Sequence, residues 1–186
     1  MSKKTKTLLE NTIYINLKSG RVVIELYPEI APLHVDRIKK LVRSKFYNGA
    51  SWHRVVDNLF AQCCKRNENT TQIKNSTLPA EISNLPHIRG TVSMARMEDI
   101  DSATNQFFIT TSEARFLDQK YTVFGFVREG IELIDDLKKG DRTNKDLVIE
   151  PDIVISMSVA IDEETKKLLS KNRNKFRLGA KSTKPV

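Results

Sequence analysis

The sequence predicts a mainly β protein, folded as an antiparallel barrel or sandwich with helices at its ends. Short apolar runs rich in β-branched residues recur along the chain, which is typical of strands. Only two segments have the apolar spacing of a substantial helix. Because strands and helices do not alternate regularly, a parallel sheet of β–α–β units is not indicated.

The first predicted elements are a β-hairpin and a helix. Residues 12–17 and 21–27 are β-branched apolar runs, and residues 18–20 (Lys-Ser-Gly) have the length and chemistry of a hairpin turn. Apolar residues then recur at helical spacing over residues 31–45. Pro32 falls in the first turn of this helix, where proline is tolerated.

The rest of the chain predicts further strands and one more helix, over residues 130–138. Segments 65–89 and 96–105 have no sustained period, and loops of that length in a compact domain are usually functional. The further predicted strands are residues 51–56, 59–64, 90–95, 106–110, 122–127 and 148–160.

The net charge of +8 is concentrated at the C-terminus. Residues 162–186 contain eight basic and three acidic residues, a net of +5, so the remaining residues carry only +3. A nucleic-acid surface spanning the whole protein is therefore not indicated. We predict an N-terminal extension (1–11), one globular domain (12–161) and a basic tail (162–186), helical over 163–169 and mobile over 170–186.

The cysteines and the hydropathy pattern favour a reducing compartment. Cys63 and Cys64 are the only cysteines, and adjacent cysteines do not readily meet disulfide geometry, so we expect them to be reduced. The first residues lack the apolar run of a secretory signal, and no window approaches the length of a membrane-spanning helix. We expect a cytoplasmic protein that does not bind membranes, with no metal and no cofactor.

Three stretches, in this order and at this spacing, carry a family resemblance. They are WHRVV at 52–56 with LFAQ at 59–62, RGTVSMAR at 89–96 running into DSATNQFFIT at 101–110, and FLDQKYTVFGFV at 116–127. Together they resemble the cyclophilins, bacterial members most closely, and the likeness extends over residues 12–160. It implies a closed eight-stranded antiparallel barrel capped by two helices, and peptidyl-prolyl cis/trans isomerase activity on proline-containing polypeptides. We expect the protein to be a monomer.

The resemblance assigns catalysis to Arg54 and Gln62. Rotation about an X-Pro bond breaks amide resonance, so an enzyme need only bind the twisted amide better than the planar forms. Arg54 offers permanently charged, rigid donors for that purpose. Strand alternation places Phe107 in the interior and Phe108 in the groove. Substrate contact is assigned to Leu59, Phe60, Met94, Ala95, Arg96, Gln106, Phe108, Phe116, Leu117 and Tyr121, with Phe60, Met94, Phe108 and Leu117 forming the proline pocket.

The sequence departs from the family pattern at Cys63 and Cys64, where cyclophilins usually have two glycines that permit positive φ. That departure motivates an alternative, a cyclophilin-like peptide-binding module with little catalysis. Phe116 replaces a tryptophan of eukaryotic relatives, and the lost indole N–H predicts weakened binding of cyclosporin-type ligands. A second alternative is RNA or ribosome association through the basic tail, although a solvated tail is the simpler interpretation. The sequence suggests no partner for His34 or His87.

Overall fold

The computed structural model describes residues 1–64 and 77–179, with side chains described up to residue 171. Within these ranges the α-helices are α1 (Lys3–Glu10), α2 (Pro32–Arg43), α3 (Ile131–Asp135) and α4 (Ala160–Gly179). The strands are β1 (Thr12–Asn16), β2 (Arg21–Leu26), β3 (Arg54–Val56), β4 (Phe60–Cys63), β5 (Thr91–Met94), β6 (Phe107–Thr110), β7 (Val123–Glu129) and β8 (Ser156–Val159). Short 3₁₀ turns cover Arg115–Leu117 and Arg142–Asn144.

The eight strands form one curled antiparallel sheet in the order β3-β4-β6-β5-β7-β2-β1-β8. Isolated bridges, Ser51 with Ile153 and Arg54 with Leu147, span the seam between the two edge strands. The predicted closed barrel is therefore overstated, because no continuous ladder among the described residues joins β3 to β8. The last strand also begins at Ser156 rather than at residue 148. Pro151 cannot donate to a ladder and Glu150 has φ +51°, so the chain before β8 leaves the sheet.

Helix α2 is capped from a distant part of the chain. The side chain of its N-cap residue, Ala31, is a methyl group and cannot accept hydrogen bonds from the free N–H groups of the first helical turn. The Glu81 carboxylate replaces a cap by accepting hydrogen bonds from the backbone N–H groups of Leu33 and His34, both at 3.0 Å. It also contacts His34 Nδ1 at 2.6 Å. The partner that the sequence did not suggest for His34 is thus 47 positions away.

The buried apolar residues of the described ranges form two separate clusters. The main core lies inside the curled sheet, where Phe107 meets Tyr47, Trp52 and Phe124 edge to face at centroid distances of 5.8–6.2 Å. The second cluster is built on Phe108. Because neighbouring residues of a strand point to opposite faces, β6 supplies one phenylalanine to each cluster, as predicted.

The terminal helices pack against each other and are tied to the domain by ion pairs. The Arg43 guanidinium of α2 donates hydrogen bonds to the carboxylates of Glu10, at the end of α1, and Asp162, in the first turn of α4. Helix α4 continues to Gly179, so the predicted end at residue 169 is too early, and residues 180–186 lie outside the described part. No helix in the described ranges is long and apolar enough to cross a membrane.

Candidate functional site

A cavity of about 360 Å³ opens beside β3, β4 and β6. Most of the residues assigned to the groove from the sequence line it. The lining consists of Arg54, Val56, Leu59, Phe60, Gln62, Ala95, Arg96, Phe108, Phe116, Leu117, Tyr121 and Asp146.

The polar side of the cavity is formed by Arg54 and Gln62. They are direct partners in the β3–β4 ladder, so their side chains stand on the same face of the sheet. Gln62 Nε2 donates to Gln106 Oε1 at 2.9 Å, which fixes the orientation of the Gln62 amide. Gln106 is not itself among the described residues that line the cavity. The Arg54 guanidinium lies over the Phe60 ring, 5.1 Å from its centroid.

The apolar side of the cavity has Phe108 as its floor. The Phe60 and Tyr121 rings meet it at centroid distances of 5.5 and 5.4 Å, the latter edge to face. Leu117, from the 3₁₀ turn, is 8% exposed and completes the wall. Phe116 is 58% exposed and forms the rim. Such a pocket suits a compact apolar ring with little hydrogen-bonding capacity.

A buried polar network supports this floor. The His87 ring stacks on Phe108 at a centroid distance of 6.0 Å. Burial lowers the pKa of His87 in spite of the Asp118 carboxylate beside it, which favours the neutral ring at pH 7. Its Nδ1–H donates to Asp118 at 2.9 Å, and its Nε2 accepts from the Ser93 hydroxyl at 2.8 Å. Because Ser93 and His87 are fully buried, this Ser-His-Asp arrangement supports the pocket and does not face a substrate.

The structure corrects the assignment of Met94 to the proline pocket. Met94 is 1% exposed, belongs to the main core and pairs with Phe107, whereas Ser93 pairs with Phe108. Alternation along β5 thus turns Met94 inward. Ala95 lines the cavity, and its N–H donates to the Gln106 carbonyl at 2.8 Å, so of its two main-chain polar groups the carbonyl remains to bind a substrate.

The Arg96 side chain contacts the aromatic wall of the cavity. The guanidinium lies over the Tyr121 ring, 4.8 Å from the centroid, and Nε donates to the Lys120 carbonyl at 3.1 Å. Arg96 therefore holds the aromatic wall in place.

Cys63 and Cys64 are joined by a disulfide, so the prediction that they are reduced is wrong for this structure. Alternation along a regular strand would keep the two side chains apart. Cys64 lies one residue beyond β4 and has φ +110°, a turn that brings the adjacent sulfurs together. The positive φ falls at a position where the resembled family uses glycine. Both side chains are buried, and neither lines the cavity as far as the described residues define it.

Sequence reasoning missed the residues that approach Arg54 from the 140–147 loop. The Arg54 Nε donates to the Lys145 carbonyl at 3.2 Å, and Nη2 lies 3.7 Å from the Asp146 carboxylate. Lys145 is 91 positions from Arg54, and neither Lys145 nor Asp146 belongs to a motif. No signal in a single sequence could have placed them there.

Comparisons with known proteins agree with the geometry. The family model described as "Cyclophilin type peptidyl-prolyl cis-trans isomerase/CLD" matches residues 12–159. A probable peptidyl-prolyl cis-trans isomerase of Brucella suis is 39% identical over 165 residues, covering 82% of this chain and 84% of the relative. A peptidyl-prolyl cis-trans isomerase of Acinetobacter baylyi is 36% identical over 141 residues, covering 69% of this chain and 73% of that one.

Solved structures with the same fold include the cyclophilin AquaCyp293 from Hirschia baltica. It has a TM-score of 0.66 and 26% identity, covering 86% of this chain and 80% of that one. A cyclophilin-type isomerase of Cryptosporidium parvum, determined in the presence of the dipeptide Ala-Pro, has a TM-score of 0.70 and 20% identity, covering 80% of this chain and 98% of that one.

Proposed function

Because the chain belongs to the cyclophilin-type peptidyl-prolyl cis-trans isomerase family, we propose that the cavity beside β3 and β4 is where it rotates X-Pro bonds. One observation carries the proposal. The Arg54 guanidinium and the Gln62 amide line the same cavity of about 360 Å³ as the apolar side chains of Phe60, Phe108 and Leu117. A charged donor and a ring-sized apolar pocket are thus adjacent.

The reaction requires differential binding of a twisted amide. The barrier to rotation is about 18–20 kcal/mol, because rotation removes the conjugation of the nitrogen lone pair with the carbonyl. As the proline nitrogen becomes pyramidal, its lone pair becomes an acceptor, and an Arg54 donor directed at it stabilises that state over both planar states. Gln62, oriented by Gln106, holds the neighbouring carbonyl. No covalent intermediate is needed.

The apolar pocket supplies binding and orientation. A proline ring against Phe108, Phe60 and Leu117 buries carbon surface and stays fixed while the acyl side of the bond turns. We propose proline-containing polypeptides as substrates. The C. parvum structure with Ala-Pro supports this class, since that protein has the same fold. Phe116 provides no hydrogen-bond donor at the rim, which supports weak binding of cyclosporin-type ligands.

The test is the exchange rate of a short X-Pro peptide, measured by NMR with purified protein. We expect Arg54→Ala to lower kcat/KM at least tenfold, about 1.4 kcal/mol of transition-state stabilisation. Arg128→Ala is the matched control, because Arg128 also lies over a phenylalanine ring, Phe126, and also pairs with an acid, Glu25. The control should retain full activity.

Two results would overturn the proposal. An Arg54→Ala protein as active as the wild type, with intact Trp52 fluorescence, would remove Arg54 from catalysis. A wild type that binds the peptide without accelerating its exchange would favour the peptide-binding module.

A further inference from the structure

We propose that Asp146 is a positioning residue that holds the Arg54 guanidinium in its catalytic orientation. The inference rests on the proposed role of Arg54. It adds a residue that lies outside the three stretches that carry the family resemblance. Asp146 lines the same cavity as Arg54, and its side chain is 19% exposed.

The contacts define which edge of the guanidinium is held. Nε and Nη2 form one edge of the planar group, and both are engaged by consecutive residues of one loop. Nε donates to the Lys145 carbonyl at 3.2 Å, and Nη2 faces the Asp146 carboxylate at 3.7 Å. The Phe60 ring supports the flat face. This arrangement leaves the Nη1 amino group as the donor on the opposite side, so the guanidinium can bind a substrate without releasing the loop.

The loop itself is fastened to the strand that carries Arg54. Val55, the next residue on β3, donates its N–H to the Asp146 carbonyl at 3.1 Å and accepts from the Gly140 N–H at 2.8 Å. The Asp146 N–H donates to the Asp141 carbonyl at 2.8 Å. The carboxylate is therefore held in register with Arg54 by hydrogen bonds on both sides of it.

The backbone of the loop is shaped to bring Asp146 there. Lys145 and Asp146 both have left-handed φ values, +55° and +59°. The loop also packs on Gly140, where a Cβ atom would lie 1.7 Å from the Asp146 carbonyl oxygen. A left-handed conformation at non-glycine residues is uncommon outside Asn and Asp, and it is retained where the surroundings impose it.

A charged partner matters because Arg54 has a long side chain and is 39% exposed. Without the carboxylate, the guanidinium keeps its hydrogen bond to the Lys145 carbonyl but loses its ion pair, so it samples other rotamers. Misplacement of a catalytic group by about 1 Å can reduce the rate substantially. The expected defect therefore lies in turnover, since the ion pair of Asp146 is with Arg54 and not with a residue of the proline pocket.

The decisive experiment is a double-mutant cycle on X-Pro peptide isomerisation. Asp146→Asn removes the charge and keeps a residue that tolerates the left-handed conformation. We expect kcat/KM to fall about fivefold through kcat, with KM within about twofold, and no further loss when Asp146→Asn is added to Arg54→Ala. Asp57→Asn, at the exposed turn after β3, is the charge-matched control and should have no effect.

The outcomes separate the two proposals. If Arg54→Ala is fully active, the proposed function fails. If Arg54→Ala is impaired but Asp146→Asn is as active as the wild type, or lowers activity equally with and without Arg54, the positioning role is wrong. Asp146→Gly, which also accepts the left-handed backbone, replaces the asparagine variant should that variant unfold. In the NMR spectrum the Arg54 Nε–H resonance should shift in the Asp146 variants and not in Asp57→Asn.

Discussion

Removing the His87 side chain should weaken both the fold and the proline pocket. His87→Ala deletes a hydrogen bond to the Asp118 carboxylate, one to the Ser93 hydroxyl, and a fully buried ring stacked on Phe108. A bond to a charged group contributes about 1.5–3 kcal/mol and a neutral one about 1 kcal/mol. A buried large-to-small change costs about 2–5 kcal/mol in total. Since these contributions overlap, we expect a loss of about 4 kcal/mol in the free energy of unfolding.

Urea unfolding at pH 7.5 measures this loss through Trp52, the only tryptophan and fully buried. For a domain of this size the melting temperature should fall by about 10 °C. Asp118→Asn keeps one amide oxygen that can accept both hydrogen bonds that His87 gives to Asp118 Oδ1, and should cost only about 1 kcal/mol. In the isomerase assay, His87→Ala should raise KM more than it lowers kcat, because Arg54 is untouched. A loss of stability below about 1 kcal/mol for His87→Ala would refute the supporting role of the network.

Three further outcomes are expected. Burial lowers the pKa of His34 and His87 below the 6.5 of the unfolded chain. The unfolded chain therefore binds more protons, and urea titrations should find stability falling as pH drops below about 6.5, less steeply once either histidine is replaced by glutamine. Replacing Cys63 and Cys64 together with glycine should keep peptide kcat/KM within about threefold, because neither sulfur lines the cavity; an inactive variant would contradict this. Deleting residues 171–186 should leave kcat/KM within about twofold, whereas loss of cooperative unfolding would show that the domain extends into the tail.

Local patterns predicted most of the elements, because their causes are local. The hairpin of β1 and β2 follows from two β-branched runs and the Lys18–Ser19 turn, which the structure closes with the Leu17 N–H bonded to the Gly20 carbonyl at 2.8 Å. The bounds of α2 agree with the apolar spacing to within two residues at each end. Strand β8 was predicted too long, because alternation alone cannot reveal that residues 148–155 lie outside its regular ladder.

From the sequence, residues could be assigned to the site only where they belong to a family motif. Arg54, Gln62 and Phe108 belong to stretches that resemble a family, and the structure brings them to one cavity. Met94 was assigned to the wrong face because the register of β5 against β6 is a non-local property. The position of Asp146 beside Arg54, and the pairing of the buried histidines with Glu81 and Asp118, result from contacts between separate segments of the chain. Composition and periodicity do not encode such contacts.

The division of β6 between two clusters has a consequence for motion. Phe107 is locked among Tyr47, Trp52 and Phe124, so the backbone carrying Phe108 cannot shift without disturbing the interior. Amide hydrogens of β6 should exchange with solvent only through global opening of the protein. The exposed Phe116 is free of that constraint. We therefore expect a rigid floor and a movable rim in the groove.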